Sequence, residues 1–532
     1  MDRRDFFLAG AGAAAGLAAR PDIRALAQQA TGTLTFGGST PVLTLDPGFG
    51  AFTAYPGGYE ASLVLYDRLI DFDNDMKFIP GLATSWQLAP DMQSITLRLR
   101  QGVQFHDDTP FNAAAVRFNI ERMMDRQRNP TNRPLWDPVS AVESPDAETV
   151  IIRTRAPYAQ LPNTLAHGSG AMVSPAAVAR HGERGIAQNP IGTGPYAMEN
   201  FTPGQILNLR AVENHWSGRP GAQRMVFRYI AEAATRISAL RTGAVDVIDG
   251  VPAPLAEPLT RDANIQVIRR FGLRPIGLAI NLTRPALQDV RVRRAMNLAV
   301  PVETIAARAF FGFARASDSP LAFDTPGHVA AGTPSFDQAR ARALLAEAGY
   351  RPGQGGTLER EGRPLRVAIS VPDGLFPSDV QVAEIVVASF RQVGIDATIN
   401  RVERAAYFDM LRQDRANMAW DLAMFGFNPS NASGLYHLES LFRSNGDDAG
   451  RPDVWNIGRY RNPQVDAALA RANTDPSPER QNAALAEAQR LIWEDAPYVW
   501  LQVNENISAV RRGVQGVAVW PIVFTALRNA RV

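Results

Sequence analysis

The segment from Leu365 to Val402 constrains the fold more than any other part of the sequence. LRVAISV and IDATINRV are short apolar runs rich in β-branched residues, and SDVQVAEIVVASFRQVG between them has the apolar spacing of one helix face. A strand, a helix and a second strand in this order form a parallel pair joined by a crossover. WDLAMFGF supplies a further strand, so we expect an α/β fold with a largely parallel sheet covered by helices.

Local capping signals predict several further elements. Asn112 can cap a helix through AAAVRFNIERMM. Asp337 can start, and Gly349 can end, a helix through ARARALLAEA. The sequence also predicts a helix from about Pro478 to Glu494 and strands at Ser94 to Arg100 and Thr149 to Thr154.

The length of the chain predicts more than one core. Its 532 residues exceed the ~250 to 300 residues at which a single hydrophobic core stops growing. FGLRPIGLAINL and PYVWLQVNEN have the pattern of extended segments, and we interpret them as crossings between two lobes.

The first thirty residues have the character of an export signal. Arg3 and Arg4 precede an apolar run from Phe6 to Ala19 that is too short to span a bilayer, and Ala25-Leu26-Ala27 fits a signal-peptidase site. We therefore expect residues 1–27 to be removed on export to the periplasm. The paired arginines resemble a twin-arginine signal. The usual Ser or Thr before them is missing, which keeps Sec export as the alternative.

Composition excludes several classes of function. The 55 lysines and arginines nearly balance the 53 aspartates and glutamates, and the basic residues form no stripe with interleaved aromatics, so we expect no nucleic-acid partner. The chain has no cysteine, which excludes disulfides, thiol catalysis and a lipid-modified N-terminal cysteine.

The sequence shows no catalytic or metal-binding signature. No GxSxG elbow occurs, and no two of the six histidines have an HExxH spacing. His106-Asp107-Asp108 looks metal-like, but we interpret it as a turn after a strand. We expect no metal and no cofactor. An exported hydrolase acting on peptides or esters is the alternative from a different class.

The stretch NPIGTGPY places two glycines around one threonine. A phosphate loop would need a helix start directly behind them, whereas here Pro195 removes a backbone donor. We interpret the stretch as a rigid structural turn and not as a binding site.

Ordered motifs resemble the peptide and nickel class, family 5, of extracytoplasmic solute-binding proteins. They are GLATSWQLAPDMQSITLRLRQGVQFHDDTPFNAAAV, NPIGTGPY, DVRVRRAMNLAV, ARALLAEAGY, GRYRNPQVDAALARA and QRLIWEDAPYVWL. The resemblance covers essentially all of Thr33 to Val532.

This resemblance implies a bilobed periplasmic-binding-protein fold of class II, cluster C type. It implies a monomer that binds a small molecule or peptide and delivers it to membrane permease subunits of an ABC importer. The expected divisions are lobe 1 at 28–280 with an extra subdomain at about 72–188, lobe 2 at 281–504, and a C-terminal return to lobe 1 at 505–532.

The resemblance also places the ligand site on both sides of a cleft. Peptide binders that grip a free amine carry an acid in the loop after the lobe 2 strand, but Asp and Glu are absent from Gly426 to His437. Arg133 and Trp136 resemble the Arg-x-x-Trp spacing of nickel-chelate binders, in which the Arg grips an anion and the Trp stacks. We therefore expect a carboxylate-bearing ligand that is not selected by its amine. Dipeptides, oligopeptides, glutathione-like conjugates, opines and metal chelates stay open.

Further candidate ligand contacts lie in the two loops implied by the resemblance. They are Phe427, Asn428, Asn431 and Ser433 in the second lobe and Phe52 and Tyr55 in the first. Each has a plainer interpretation: Arg133 as a surface residue, Trp136 as core packing, and the loop residues as turn formers.

Overall fold

The computed structural model describes residues 32–48, 56–125, 132–332, 335–444, 455–522 and 524–532. The expected signal segment, Phe52 and Tyr55 lie outside these ranges, as does the side chain of Arg133. Within the described residues, no helix is long and apolar enough to cross a membrane.

A single sheet runs through both lobes. Within the described chain it has eleven strands. From the second lobe to the first, their order is Asp396–Arg401, Arg366–Val371, Leu422–Phe425, Ile265–Ile280, Tyr498–Arg511, Val247–Ile248, Thr33–Gly38, Arg224–Tyr229, Ile206–Ala211 and Tyr196–Thr202, with Ala314–Ala316 paired to Tyr498–Arg511.

Two long strands form the crossings between the lobes. Ile265–Ile280 and Tyr498–Arg511 are antiparallel partners, which confirms both predicted crossing segments. Their register shifts between the pairs Phe271–Glu505 and Pro275–Val503. Residues 272–274 therefore bulge out of the ladder where the chain passes from one lobe to the other.

The second lobe contains the predicted parallel unit. Arg366–Val371 pairs in parallel with Asp396–Arg401 and with Leu422–Phe425. The apolar face of the helix Asp379–Gln392 packs into the core beneath them. The lobe's other helices are Val290–Ala299, Val302–Ala309, Gln338–Glu347, Arg404–Leu411, Gly434–Phe442, Pro463–Thr474 and Pro478–Asp495, and its small ladder joins Arg351–Pro352, Leu358–Arg360 and Arg363–Pro364.

The first lobe carries an added subdomain. Its four-stranded sheet has the order Ala83–Leu88, Ser94–Leu99, Thr149–Thr154, Val139–Glu143. The first lobe and subdomain also contain the helices Pro56–Leu65, Ala113–Met124, Arg133–Trp136, Leu161–Ala166, Pro175–Gly185, Ala233–Thr242 and Ala253–Thr260, and the hairpins Ile70–Phe72 with Phe78–Pro80 and Ala518–Trp520 with Phe524–Ala526.

The predicted caps are confirmed. The Asn112 side chain accepts a hydrogen bond from the backbone N–H of Ala115, at the start of the helix that ends at Met124. Asp337 caps Gln338–Glu347 in the same way, and Gly349 beyond its end has a φ of 92°. These signals are local, which is why the sequence predicted them.

Candidate functional site

The subdomain touches the second lobe across a cleft. Its side of the contact is formed by residues 160–167, and the other side by residues 428–439. Nδ2 of Asn163 donates to the backbone carbonyl of Asn431 at 2.9 Å. The subdomain and the second lobe are therefore joined directly in this structure.

Gln160 makes two hydrogen bonds to the second lobe in this cross-cleft contact. Its Oε1 accepts from Oγ of Ser433 at 2.9 Å, and its Nε2 donates to Oε2 of Glu439 at 3.0 Å. Ser433 also caps the helix Gly434–Phe442 by accepting from the N–H of Tyr436. The helix start therefore positions the hydroxyl that reaches across the cleft.

A chain of polar groups runs from the subdomain core to the second lobe through His167. Nε1 of Trp136 donates to Oγ of Ser169 at 2.9 Å. Nδ1 of His167 lies 3.1 Å from the N–H of Ser169 and must accept from it. The proton of the neutral ring is therefore on Nε2, which donates to Oγ of Ser430 at 2.9 Å.

The environment of His167 keeps it neutral. Burial lowers its pKa to about 3, and the nearby guanidinium of Arg68 acts in the same direction. A neutral ring is what the contact needs, because an imidazolium could not accept from Ser169.

Two of the predicted loop residues, Asn431 and Ser433, lie at this contact, and Phe427 and Asn428 precede them in the same loop. Phe427 packs against the rings of Tyr436 and His437, each 5.6 Å away between centroids. Nδ2 of Asn428 donates to the carbonyl of Ile522 at 2.9 Å. Among the described residues, Oδ1 of Asn428 and Nδ2 of Asn431 are buried without a hydrogen-bond partner.

The candidate residues of the first lobe are placed less completely. Trp136 is 1% exposed and packs in the subdomain core, which leaves no free ring face. The structure therefore does not support a stacking wall at Trp136, and a ligand contact there stays a prediction. Arg133 begins the short helix Arg133–Trp136, but its side chain lies outside the described part, as do Phe52 and Tyr55.

A cavity of about 310 Å³ lies beside the cross-cleft contact. It is bounded by both lobes and contains mixed charge, with Arg155 on one side and Glu439 and Arg443 on the other. Burial raises the pKa of Glu439 to about 7, although the neighbouring Arg443 opposes this shift. The cavity can accommodate a polar group between the lobes.

The histidines and acidic residues are the side chains that could form a metal site, and the sequence predicted no such site. His328 pairs with Asp318 at 2.9 Å, and His215 lies 3.4 Å from Asp67. Within the residues that the structure describes, no three such side chains come together as metal ligands. These pairs are structural contacts inside each lobe.

The sequence did not predict which subdomain residues contact the second-lobe loop 427–433. Gln160, Asn163 and His167 are single polar residues on and beside a short helix, and they match no motif. Their common position could be inferred only from the chain's path, because the contacts they make join residues more than two hundred positions apart.

Comparisons with known proteins identify the family. Residues 77–449 match the family described as bacterial extracellular solute-binding proteins, family 5 Middle. The glutathione-binding protein GsiB of Pectobacterium atrosepticum is 28% identical over 473 residues, covering 87% of this chain and 88% of that protein.

Solved structures share the fold. HbpA2 from Haemophilus parasuis superimposes with a TM-score of 0.81 at 24% identity, covering 94% of this chain and 99% of the other. The binding protein AgaA from A. tumefaciens R10, in complex with agropinic acid, gives a TM-score of 0.76 at 23% identity, covering 94% and 99%. The expected bilobed α/β fold is therefore confirmed.

Proposed function

Because this chain belongs to the family 5 bacterial extracellular solute-binding proteins, we propose that its cleft encloses a small peptide-like or carboxylate-bearing ligand. The chain is a binding protein of an ABC importer and not an enzyme, and the alternative of an exported hydrolase has no support among its relatives. The observation that carries the proposal is the direct contact of both lobes through Gln160, Asn163 and His167.

Closure of the cleft is the proposed mechanism of capture. A ligand that touches both lobes favours the closed state by the contacts that it makes only there. The buried, unpartnered amide atoms of Asn428 and Asn431 supply such contacts on the second lobe. The permease then recognises the closed, loaded protein.

Two features support a ligand with a carboxylate. The loop from Gly426 to His437 contains no acid that could pair with an ammonium group. One set of relatives is named for binding glutathione, and AgaA was solved in complex with agropinic acid. We propose that this chain shares that preference.

Phe52, Tyr55, Arg133, Trp136, Phe427, Asn428, Asn431 and Ser433 stay the proposed contacts, and Arg133 offers a sharp test. Replacing Arg133 by Ala should weaken binding of a carboxylate ligand by about 1.5 to 3 kcal/mol, the range of a charge-assisted hydrogen bond. Arg133→Lys should recover only part of this loss, because an ammonium lacks the planar fork of a guanidinium. If calorimetry gave equal affinities for wild type and Arg133→Ala, Arg133 would be a surface residue that does not bind the ligand.

Identification of the natural ligand tests the function as a whole. Native mass spectrometry of the purified protein should reveal a copurified acid, and scattering should show a more compact particle when that ligand is added back. Steady turnover of fluorogenic peptides or esters would instead support the hydrolase.

We also propose export and processing in line with the first thirty residues. The mature, monomeric protein would start near Gln28, with lobes 28–280 and 281–504 and the return 505–532, and would reach the periplasm through a twin-arginine signal. Mass spectrometry of periplasmic protein should show the loss of residues 1–27, as expected for a cleaved signal. A full-length chain retained in the cytoplasm would contradict this.

A further inference from the structure

Arg274 lies in the bulge of the first crossing strand, where the chain passes between the lobes. Its neighbour Leu273 donates its N–H to the carbonyl of Pro521 at 2.8 Å. Asn428 reaches the next carbonyl, that of Ile522. Arg274 and Asn428 therefore flank the same two residues of the C-terminal return.

The side chain of Arg274 extends toward the second lobe's ligand loop. A Cβ atom added at Gly426 would lie 3.1 Å from Cγ of Arg274. Gly426 leads directly into Phe427 and Asn428, so the aliphatic part of the Arg274 side chain packs beside the loop in which amine-binding relatives are expected to carry an acid.

Arg274 has no partner in the part of the chain that the structure describes. It makes no hydrogen bond and no ion pair there, and its Nε is buried and unsatisfied. Burial alone lowers its pKa to about 10, and no carboxylate acts against that shift. The guanidinium is thus a half-buried cation, with a buried Nε and no counter-ion among the described residues.

The other buried arginines of this protein each have at least one partner, although Nε of Arg236 is also unsatisfied among the described residues. Arg122 binds Asp46, and Arg528 binds Asp67. Arg293 donates to several backbone carbonyls. Each of these guanidinium groups thus has at least one partner, whereas that of Arg274 has none among the described residues.

An unpaired buried charge destabilises a protein unless something else compensates it. Such groups occur where function requires them, because a ligand of opposite charge supplies the missing partner. The unpartnered Oδ1 of Asn428 nearby adds a neutral acceptor. Together the two side chains offer a cationic fork and a site for one N–H or O–H donor.

We propose that Arg274 and Asn428 form the subsite that binds the ligand's carboxylate and its adjacent amide N–H or hydroxyl. The preferred ligand is then an N-acylated or hydroxylated carboxylate, such as the C-terminal end of a peptide-like molecule. A free ammonium group at this position is rejected, because it would face the guanidinium. This inference rests on the proposed function and specifies its ligand class.

The test uses defined probes on the mature, ligand-stripped protein. They are glutathione, N-acetyl-dialanine, which has a carboxylate but no amine, and dialanine amide, which has an amine but no carboxylate. Wild type should bind glutathione or N-acetyl-dialanine and ignore dialanine amide. Arg274→Gln should weaken that binding roughly ten- to a hundredfold. Arg274→Lys should bind these probes with an affinity between those of wild type and Arg274→Gln.

Arg315→Gln is the matched control. Arg315 is an exposed arginine near the same crossing, with its guanidinium 4.0 Å from the ring centre of Phe323. Its replacement should leave the affinity for the probes unchanged. The melting temperature of the ligand-free protein gives an independent readout: Arg274→Gln should equal or exceed wild type, because it removes a buried charge that has no partner.

The outcomes separate this inference from the proposed function. If wild type binds a probe and compacts in scattering but Arg274→Gln binds equally well, or if Arg274→Gln melts several degrees lower without ligand, the subsite is wrong and the solute-binding function stands. Binding of dialanine amide alone would overturn both the subsite and the carboxylate class. If no probe binds and no compaction occurs, the proposed ligand class itself fails, and the subsite with it.

Discussion

His167 joins the subdomain to the second lobe as a neutral donor, and its burial fixes that state. The ring is 1% exposed, accepts from Ser169 and donates to Ser430. Taking up a proton would cost both the desolvation of a cation and the bond from Ser169. The contact is therefore linked to pH.

Stability should fall on acidification because of His167. Its pKa is about 3 in the folded protein and about 6.5 in an unfolded chain, so between these values the unfolded state binds the extra proton. The contribution is fully present above about pH 6.5 and is lost as the pH falls toward 3, by up to about 1.4 kcal/mol per pH unit. In urea unfolding, His167→Gln should show a correspondingly shallower slope between pH 4 and 6.

Two further histidines serve as references for this measurement. Burial also lowers the pKa of His437 to about 3, but His437 is unchanged in both proteins and cancels from the comparison. His181 is exposed, so His181→Gln should keep the slope of wild type. Equal slopes for His167→Gln and wild type would show that His167 is not the linked group.

At the scale of elements, the turn NPIGTGPY locks the end of the helix Pro56–Leu65 to the subdomain. Gly194 donates its N–H to the carbonyl of Leu65 at 3.1 Å. His106 donates its N–H to the carbonyl of Gly192, and its Nε2 lies 2.9 Å from the carbonyl of Gly194. The His106 turn and the glycine turn thus form one structural unit.

Replacing Gly194 by Ala should destabilise the first lobe. The added Cβ would lie 2.5 Å from the carbonyl carbon of Leu65, and this main-chain neighbour cannot rotate away. We expect a loss of about 1 to 3 kcal/mol, the usual range for overpacking, measured as a lower transition in calorimetry. Thr193→Ser is the control, because it keeps the hydroxyl that bonds Oδ2 of Asp67. Unchanged melting of Gly194→Ala would contradict the close-packing argument.

The sequence predicted elements better than contacts, for a physical reason. The cap at Asn112 and the parallel unit around Arg366–Val371 depend on spacings of a few residues, so they could be predicted. The bond between Gln160 and Ser433 joins residues 273 positions apart, and no local pattern encodes it. Arg274 was missed because lacking a partner is a property of the folded surroundings.

On the scale of the whole molecule, the sheet connects the two lobes, and a separate contact joins them across the cleft. The two crossing strands make one continuous sheet, so the lobes can move only about a narrow connection. The cross-cleft contact is made by other elements, the helix Leu161–Ala166 with His167 behind it and the loop before Gly434–Phe442. Ligand affinity should therefore depend on groups that join the lobes even where they do not touch the ligand.

Gln160→Ala tests this coupling between closure and affinity. The variant loses both bonds to the second lobe, to Ser433 and Glu439, at about 1 kcal/mol for a typical net hydrogen bond. The closed state should lose about 1 to 2 kcal/mol relative to the open state, in which water replaces those partners. Calorimetry should therefore show the copurified ligand binding about five- to thirtyfold more weakly. Scattering should show compaction only at correspondingly higher ligand concentration.

The control for Gln160→Ala is Arg117→Ala, which removes an exposed ion pair with Glu121 within one helix of the subdomain. This variant should bind and compact like wild type, because an exposed pair contributes little and does not join the lobes. If Gln160→Ala also bound like wild type, the bonds of Gln160 would form equally well in the open state. Closure would then be driven by the ligand's own contacts rather than by the complementarity of the two lobes. Arg274 and the loop at Asn428 would be the groups to examine next.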